Sequence, residues 1–526
     1  MKLKTFIVFI LSAAFLSSCG NFLDPKAKSE FVPKDAASLN ELLLGEAYPR
    51  YSQTELNVFL GLLDDDVDGA PYQKPYQTVN PNLWLAAFTW QPLMYDQMLE
   101  ASNRNYSTYK NFYNLILGAN AVLDYIGDMN DTDLDMVHSV TAQALTLRAF
   151  YYLTLVNIFG APYNHDKNAM GVPLKLNSGV ELKDLARNSV EEVYAQIVAD
   201  LKEAERLYHL LPKEQQWEPN YRTSLPMVQL LLSRAYLYME QWKNAANYAD
   251  SVMQNKNFEL LDLNTVADQN SIGEPVYMTY HAYQTSTEVI FLYFNVDDCV
   301  NWLYNKRAAE TGQAKEHSYF RASTGLMNSF EATDLRKTRY ISRSNYQAPG
   351  EDGLMPQAFG KITMNERRYY QPLLNGTLDF GRSLRLSEAY LNYCEAKAML
   401  AQEGNAAALP DAIAALEKLR QKRFAPEEYT AASIADAESF IRFIREERRR
   451  ELCFEDHRWF DLRRWGMPEI RHTWYPDENT KIVYTLQKND PGYTLPLPTT
   501  ALEQNAYLRQ NPLAEAPRVG TNTAIN

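Results

Sequence analysis

The densest group of ionisable side chains in this 526-residue chain lies between Ile444 and Gly466. Its acids and histidine are Glu446, Glu447, Glu451, Glu455, Asp456, His457 and Asp461. Its arginines are Arg445, Arg448, Arg449, Arg450, Arg458, Arg463 and Arg464. Two neighbouring carboxylates can perform general acid–base chemistry. Here every carboxylate has arginines one to four positions away, and on a helix such pairs keep the acids ionised. We therefore predict a structural role for this signature block.

A second acidic motif, D-x-D-x-D-G, runs from Asp64 through Asp66 and Asp68 to Gly69. Alternating carboxylates can place several oxygens on one side of a turn, as Ca²⁺ requires. The twelfth position of an EF-hand loop carries Glu, but here it is Pro75, so the EF-hand interpretation fails. A structural calcium site of another kind remains open, beside the alternatives of a solvated acidic turn or a ligand-facing loop. No other cofactor is predicted.

Enzyme motifs are absent from the sequence. Residues 376–383 differ from a phosphate-binding loop by Arg382 in place of lysine, and they lead into a helical pattern. The seven histidines form no HExxH pair, and no glycines stand in G-x-S-x-G spacing. We predict that the protein is not an enzyme.

Aromatic and amide side chains are concentrated in two segments that lack helical periodicity. A saccharide site needs flat rings for apolar C–H faces, together with Asn, Asp, Arg or Gln for hydroxyl groups. The candidates in residues 72–106 are Tyr72, Tyr76, Trp84, Trp90 and Asn103. The candidates in residues 293–320 are Asp298, Asn301, Trp302 and Tyr304, of which Trp302 is the strongest. Trp84 and Trp90 have packing in the protein interior as an equal alternative.

The N-terminus predicts export. Lys2 and Lys4 precede an apolar run from Thr5 to Phe15, and Leu-Ser-Ser then leads to Cys19. A charged start, a short apolar run and small residues describe a signal peptide, residues 1–18. The last four positions resemble a bacterial lipobox, which implies that Cys19 carries acyl chains and that residues 19–34 form a tether. The alternative is a cleaved signal with an incidental cysteine.

Composition narrows the possible partners. The formal net charge is −13, which argues against nucleic acid because phosphate binding needs a basic face. The chain has 35 Tyr, most of which we expect in helix packing. Three cysteines besides Cys19 form no CxxC pair, so neither a disulfide framework nor a zinc site is predicted. Cys394 and Cys453 are expected to be buried.

Most of the elements that must position the candidate residues are predicted to be helices. Apolar periodicity predicts helices over 107–127 and 134–159, and Ser189 with Glu192 forms a capping box before a helix of about 20 residues. Two helical hairpins have tetratricopeptide-like spacing: residues 226–240 with 242–256, and 384–402 with 409–423. Irregular segments are predicted over 61–106, 257–383 (with strand-like runs at Val289–Phe294 and Lys361–Met364) and 470–500. The fold class is mainly α, a helical-repeat scaffold carrying a loop-rich region with a few short strands.

These segments together resemble the SusD/RagB family of outer-membrane lipoproteins of Gram-negative bacteria. The resemblance covers nearly the whole chain, and the signature block is its most specific part. It rests on the lipobox with Asn21-Phe-Leu-Asp-Pro, and on residues 142–163, 187–194, 231–249, 383–399, 444–466 and 495–512. It implies about four tetratricopeptide-like helix pairs, with an N-terminal region over 35–256 and a C-terminal, loop-rich region over 257–526.

The resemblance also implies a function. Family members bind nutrients, mostly glycans, at the cell surface, and they sit over a SusC-like TonB-dependent transporter in the outer membrane. We therefore expect non-catalytic glycan binding by a lipid-anchored protein that faces the cell surface. A peptide-binding relative and a surface glycoside hydrolase are the alternatives, and a hydrolase would need two carboxylates of raised pKa across a cleft.

Overall fold

The computed structural model describes most of the chain after the predicted tether. The residues described are 33–49, 59–71, 84–102, 108–127, 129, 131–180, 185–219, 222–266, 287–293, 319–347, 354–360, 382–477 and 479–524. In this part of the chain no helix is both long enough and apolar enough to span a bilayer.

Helices account for most of the described structure, which confirms the predicted fold class. In the N-terminal half they are α1 (Ala36–Glu46), α2 (Leu85–Phe88), α3 (Met94–Ser102), α4 (Thr108–Gly127), α5 (Leu134–Phe159), α6 (Val190–Leu210), α7 (Leu225–Tyr238) and α8 (Trp242–Met253). In the C-terminal half they are α9 (Thr324–Ser329), α10 (Arg336–Arg339), α11 (Leu386–Gln402), α12 (Ala408–Arg420), α13 (Ala437–Leu452), α14 (Arg458–Arg464) and α15 (Thr499–Gln504).

The strands are short and pair only antiparallel. They are β1 (Val67–Gly69), β2 (Val289–Tyr293), β3 (Phe320–Ala322), β4 (Ser342–Gln347), β5 (Leu354–Gly360), β6 (Arg382–Arg385), β7 (Ile470–Trp474), β8 (Thr480–Leu486) and β9 (Thr521–Ala524). Three two-stranded ladders join β1 to β3, β2 to β6 and β4 to β5, and a three-stranded sheet has the order β7-β8-β9. The last sheet corrects the prediction that 470–500 is irregular. Strand β1 and helices α2 and α3 likewise correct the prediction for 61–106, because these short elements are held by packing and not by a long apolar period.

The long helices stack in the order of the chain. Helix α4 packs on α5, α5 on α6, α6 on α7, and α7 on α8, and the stack continues from α8 to α11 and from α11 to α12 and α13. One hydrophobic core runs through this stack, from Leu39 to Leu497. The two predicted regions, 35–256 and 257–526, thus share a core, and their boundary stays a prediction.

Local sequence signals account for the helix ends. Ser189 accepts a hydrogen bond from the Glu192 amide, and Glu192 reaches back to the Ser189 amide, so the predicted capping box of α6 is confirmed. Helix α11 begins at Leu386 rather than at 384, because residues 382–385 pair with β2. The predicted run at 361–364 lies outside the described residues. Tyr151, Tyr152, Tyr194 and other tyrosines are buried, as are Cys394 and Cys453.

Candidate ligand-binding region and its support

Most of the predicted ligand-contacting residues lie outside the described part of the chain. These are Tyr72, Tyr76, Asn103, Asp298, Asn301, Trp302 and Tyr304, and the predicted lipidation site Cys19 lies outside it too. The residues that flank these positions in the chain are described.

Strands β1 and β3 bring the two predicted ligand-binding segments to one place. Gly69 pairs with Phe320 at the end of the ladder, and the Ala70 amide donates to the Tyr319 carbonyl over 2.8 Å. Residue 72, the first of the 72–106 segment, follows Pro71 in the chain, and Tyr319 and Phe320 are the last two residues of the 293–320 segment. Directly paired Cα atoms in an antiparallel ladder are about 5 Å apart. The two segments therefore share an anchor, although the paired residues Gly69 and Phe320 are about 250 positions apart in sequence.

A close backbone contact fixes this anchor against the three-stranded sheet. A Cβ atom on Gly69 would lie 2.0 Å from the Thr473 carbonyl oxygen of β7, so only glycine fits there. The Thr473 amide donates to the Asp68 carboxylate over 2.7 Å. One small residue and one side-chain hydrogen bond thus hold β1 against β7.

Aromatic rings pack around the anchor. Phe320 lies against Phe88 of α2, with ring centroids 4.9 Å apart, and against Trp474 of β7 at 6.1 Å. Tyr319 also contacts Trp474, at 5.8 Å. Trp474 carries no local sequence signal, because β7 is only five residues long and has polar residues at its three central positions. These contacts join the shared anchor to α2 and to the sheet.

Trp84 and Trp90 lie inside this packing rather than on a surface. Their exposed fractions are 5% and 3%. The Trp90 indole donates to the Leu63 carbonyl over 2.9 Å and stacks on His472 with centroids 4.2 Å apart. Neither indole has a free face for a sugar ring in this structure, so of the two interpretations of these tryptophans the geometry supports packing.

His472 joins three parts of the region. Its ring lies between Phe88 and Trp90, with a second stacking distance of 4.3 Å. Nδ1 is 2.7 Å from the Phe88 carbonyl and Nε2 is 2.8 Å from the Asp64 carbonyl. Burial lowers the pKa of His472, whereas these two carbonyls favour its charged form. The His472 side chain therefore connects α2 and residues 64–68 to β7.

The acidic turn, residues 64–68, contacts arginines of the signature block. Asp65 accepts two hydrogen bonds from Arg458, at 2.7 and 2.9 Å. Asp66 accepts one from Arg449 over 2.7 Å. The carboxylates of the predicted calcium candidates thus bind guanidinium and backbone donors. Within the described residues no group of three or more His, Cys, Asp or Glu is arranged to hold a metal ion.

The same turn is not solvated, contrary to one expectation. Asp64 and Asp66 are 3% and 1% exposed, and burial raises the pKa of both. Two carboxylates of raised pKa could suggest a hydrolase. However, they lie on one turn, where Asp64 accepts from the Asp66 amide over 2.9 Å, and they do not face each other across a cleft. Their burial reflects packing beneath the anchor.

Replacing Asp65 with asparagine should destabilise the protein in a pH-dependent way. Burial alone would raise the pKa of Asp65, but Arg458 and Arg449 outweigh it and hold the pKa at about 2, below its ordinary 3.8. A lowered pKa in the folded state stabilises the protein above pH 4, and this contribution is lost as the pH falls towards 2. We expect Asp65→Asn to lower the free energy of unfolding by about 2 kcal/mol at pH 7.

Urea denaturation at pH 7 and pH 3 measures this effect, and the difference between variant and wild type should shrink at pH 3. The control is Asp411→Asn, whose partly exposed pair with Lys397 should contribute less than about 1 kcal/mol. A loss of stability that is equal at both pH values would contradict the assignment.

The signature block forms a buried ion-pair network, whereas the sequence predicted pairs along one helix, and most of its partners are distant in sequence. Glu451 of α13 contacts Arg385 over 2.7 Å, Arg423 over 2.9 Å and Arg336 over 3.1 Å, and it accepts from Tyr340 over 2.9 Å. All five side chains are almost fully buried. The network therefore joins α13 to β6, α10 and the end of α12, rather than only pairing residues along one helix.

Other arginines of the signature block bind residues on other elements of the fold. Arg448 binds Asp461 over 2.8 Å, and Arg464 binds Glu395 of α11 over 2.6 Å. Arg463 donates to the main-chain carbonyls of Asn157 and Gly160 at the C-terminal end of α5, and burial lowers its pKa to about 10. The signature block thus links helix α5 of the N-terminal half to helix α11 of the C-terminal half.

Electrostatics do not favour acid–base chemistry in this block. Burial would raise the pKa values of Glu447 and Glu451, but the surrounding arginines lower both well below their ordinary range. Arg464 and its neighbours similarly hold the pKa of Glu395 at about 2. A general acid must carry a proton near neutral pH, so these carboxylates cannot serve as one.

Comparisons with known proteins agree with this architecture. A family model described as "SusD family" matches residues 374–513, and one described as "Starch-binding associating with outer membrane" matches residues 46–237. Together they span more than half of the chain.

Two relatives come from Formosa agariphila. SusD-like protein P25 is 21% identical over 97% of this chain and 98% of its own length, and SusD-like protein P2 is 25% identical over 76% and 78%.

Solved structures share the fold. A SusD superfamily protein from Bacteroides thetaiotaomicron aligns with a TM-score of 0.65 and 19% identity over 91% of this chain and 100% of that one. A SusD-like carbohydrate binding protein from Bacteroides vulgatus aligns with a TM-score of 0.63 and 20% identity over 90% and 98%. From the family models, the relatives and the fold together, the chain is a SusD-like protein of the SusD/RagB family, whose members are non-catalytic binding proteins.

Proposed function

We propose that this protein binds glycan at the cell surface and delivers it to a SusC-like TonB-dependent transporter of the outer membrane. The observation that carries the proposal is the shared anchor of the two predicted ligand-binding segments at β1 and β3. Two aromatic, amide-rich segments whose neighbouring residues are paired in one ladder can contribute rings and hydrogen-bonding groups to one ligand.

The comparisons support the ligand class. One matching family model is described as starch-binding, and one structural neighbour is described as a carbohydrate binding protein. The formal charge of −13 further favours a neutral glycan over a polyanionic one.

A ligand panel tests this function directly. The protein without its signal peptide is titrated with neutral oligosaccharides (malto-, cello-, xylo- and manno-series), with anionic alginate oligosaccharides, and with oligopeptides. Affinity electrophoresis and calorimetry report binding. We expect binding within the neutral saccharides. Binding of oligopeptides without any saccharide would replace this proposal with the peptide-binding alternative.

Attachment to the outer membrane through Cys19 is a separate prediction. If Cys19 carries acyl chains, two or more of them give stable anchoring, so Cys19→Ala should move the protein out of the outer-membrane fraction. Cell fractionation measures the change, and protease treatment of intact cells shows whether the wild type faces outward. Ser18→Ala keeps a small residue at the cleavage site and is the control. A Cys19→Ala protein that stays in the outer membrane would contradict lipidation.

Transporter partnership is tested on the same membranes. Outer membranes are solubilised in mild detergent, and a tag at the C-terminus captures the complex. We expect a TonB-dependent transporter to co-purify in stoichiometric amount with the wild type.

A further inference from the structure

A cavity of about 350 Å³ lies between α2, α3 and β8. The described residues that line it include none of the sequence-based site candidates. Ligand sites in proteins begin at about 300 Å³, so the cavity has room for a small group rather than for a large cofactor.

The aromatic wall of the cavity is Tyr484 of β8. Tyr484 pairs directly with His472 of β7, and directly opposed residues project to the same face of a sheet. That face is the one covered by α2, where His472 stacks on Phe88. The ring of Tyr484 is half-buried and lines the cavity, so one part of it packs on the core and another faces the cavity.

The rim of the cavity carries two polar side chains with unused hydrogen-bonding capacity. Gln97 and Glu100 lie three residues apart on α3, so they project to one side of the helix. Neither side chain makes a hydrogen bond or ion pair to another residue in the described part of the chain. Gln97 offers two donors and an acceptor, and Glu100 offers acceptors, which suits adjacent hydroxyl groups.

The floor of the cavity is held rigidly. Gln91 donates to the Thr89 hydroxyl over 3.0 Å, and it exchanges two hydrogen bonds of 3.0 Å with the main chain of Arg518. Thr89 donates in turn to the Leu85 carbonyl over 2.7 Å. A fixed floor lowers the ordering cost of binding, because few side chains must be immobilised.

The chemistry of the lining selects a neutral, hydroxyl-rich ligand. Among the described residues that line the cavity there is no lysine, arginine or histidine, and Glu100 would repel an anion. One carboxylate is too few for Ca²⁺, which takes six to eight oxygen ligands. A sugar ring matches an aromatic wall on its C–H face and amide or carboxylate groups on its hydroxyl edge.

We propose that this cavity, lined by Tyr484, Gln97 and Glu100, is an additional subsite for one neutral sugar unit of a bound glycan. The inference rests on the proposed function. Helices α2 and α3 lie in the chain between residues 72–83 and 103–107, which carry Tyr72, Tyr76 and Asn103. The subsite extends a glycan that those segments hold, so it contributes to the binding of longer chains and not to that of the shortest.

Chain-length dependence of affinity tests the subsite. Calorimetry compares wild type, Tyr484→Ala, Gln97→Ala and Tyr484→Phe on the neutral oligosaccharides of the panel, from two to six units. For the series that the wild type binds, we expect Tyr484→Ala to weaken the six-unit ligand about five- to tenfold and to leave the two-unit ligand unchanged. Gln97→Ala should weaken it less, and Tyr484→Phe should retain most of the affinity.

Two controls separate the possible outcomes. Tyr507→Ala removes another surface tyrosine, 61% exposed and outside the cavity, and should change nothing. Gln97→Ala alters only the helix surface and keeps the test valid if Tyr484→Ala unfolds. Saccharide binding by the wild type that neither Tyr484→Ala nor Gln97→Ala changes at any length would overturn the subsite alone. Failure of the wild type to bind any saccharide would overturn the proposed function, and the subsite with it.

Discussion

Replacing Glu451 with glutamine is expected to lower the free energy of unfolding by about 3–5 kcal/mol, the cost of breaking a buried ion pair from one side. Glu451 neutralises Arg385, Arg423 and Arg336 together, at 2.7 to 3.1 Å, and none of these side chains is more than 1% exposed. Glutamine has the same shape but no charge. It therefore leaves the buried guanidinium groups with fewer compensating carboxylates.

Chemical denaturation at pH 7 measures this loss. The matched control is Glu438→Gln on the same helix, α13. Glu438 pairs with Arg442 over 2.5 Å, but both side chains are about two-thirds exposed or more, so we expect a change below about 1 kcal/mol. If Glu451→Gln and Glu438→Gln lost equal free energy of unfolding, burial of the ion pairs would not determine how much they stabilise the protein.

The sequence was sufficient for several of the long helices because their signals are local. Periodicity over 134–159 predicted α5 with its observed ends, and Ser189 with Glu192 predicted the start of α6. Both signals involve residues within a few positions of each other, where backbone geometry fixes their relation. The burial of Cys394 followed from the same periodicity.

The partners of the signature block could not be predicted in the same way. Sequence spacing suggested pairs along one helix, and Arg450 with Glu447 and Arg464 with Asp461 are such pairs. Most partners instead come from elements such as β6, whose position depends on the packing of the whole stack. The acidic turn is the clearest case, because its partners Arg449 and Arg458 lie almost 400 residues further along the chain.

The candidate site was predictable only in part for the same reason. An aromatic residue in an irregular segment can face solvent or the core, and composition does not decide between them. Trp90 packs on His472, a contact that no local sequence pattern predicts. The meeting of Gly69 with Phe320 likewise depends on a ladder between distant strands.

Substitution of Trp302 should have the largest effect on binding. Trp302 stands in the second predicted ligand-binding segment beside Asp298, Asn301 and Tyr304, which can supply hydrogen bonds to hydroxyl groups. Stacking of an aromatic ring contributes on the order of 1 kcal/mol beyond the burial of its area, and loss of the whole indole also removes that area. We expect Trp302→Ala to weaken glycan binding by at least about tenfold. The helical circular dichroism should not change, because the sequence predicts residue 302 outside the repeat helices.

Calorimetric titration of wild type and Trp302→Ala with the best saccharide of the panel tests the central claim most directly. Tyr125→Ala is the control, since Tyr125 is a 51% exposed aromatic residue on α4, away from the shared anchor. Glycan binding through the two anchored segments predicts saturable binding by wild type and by Tyr125→Ala, and weak or undetectable binding by Trp302→Ala with unchanged helicity. Equal affinities of all three proteins for the saccharide would contradict it.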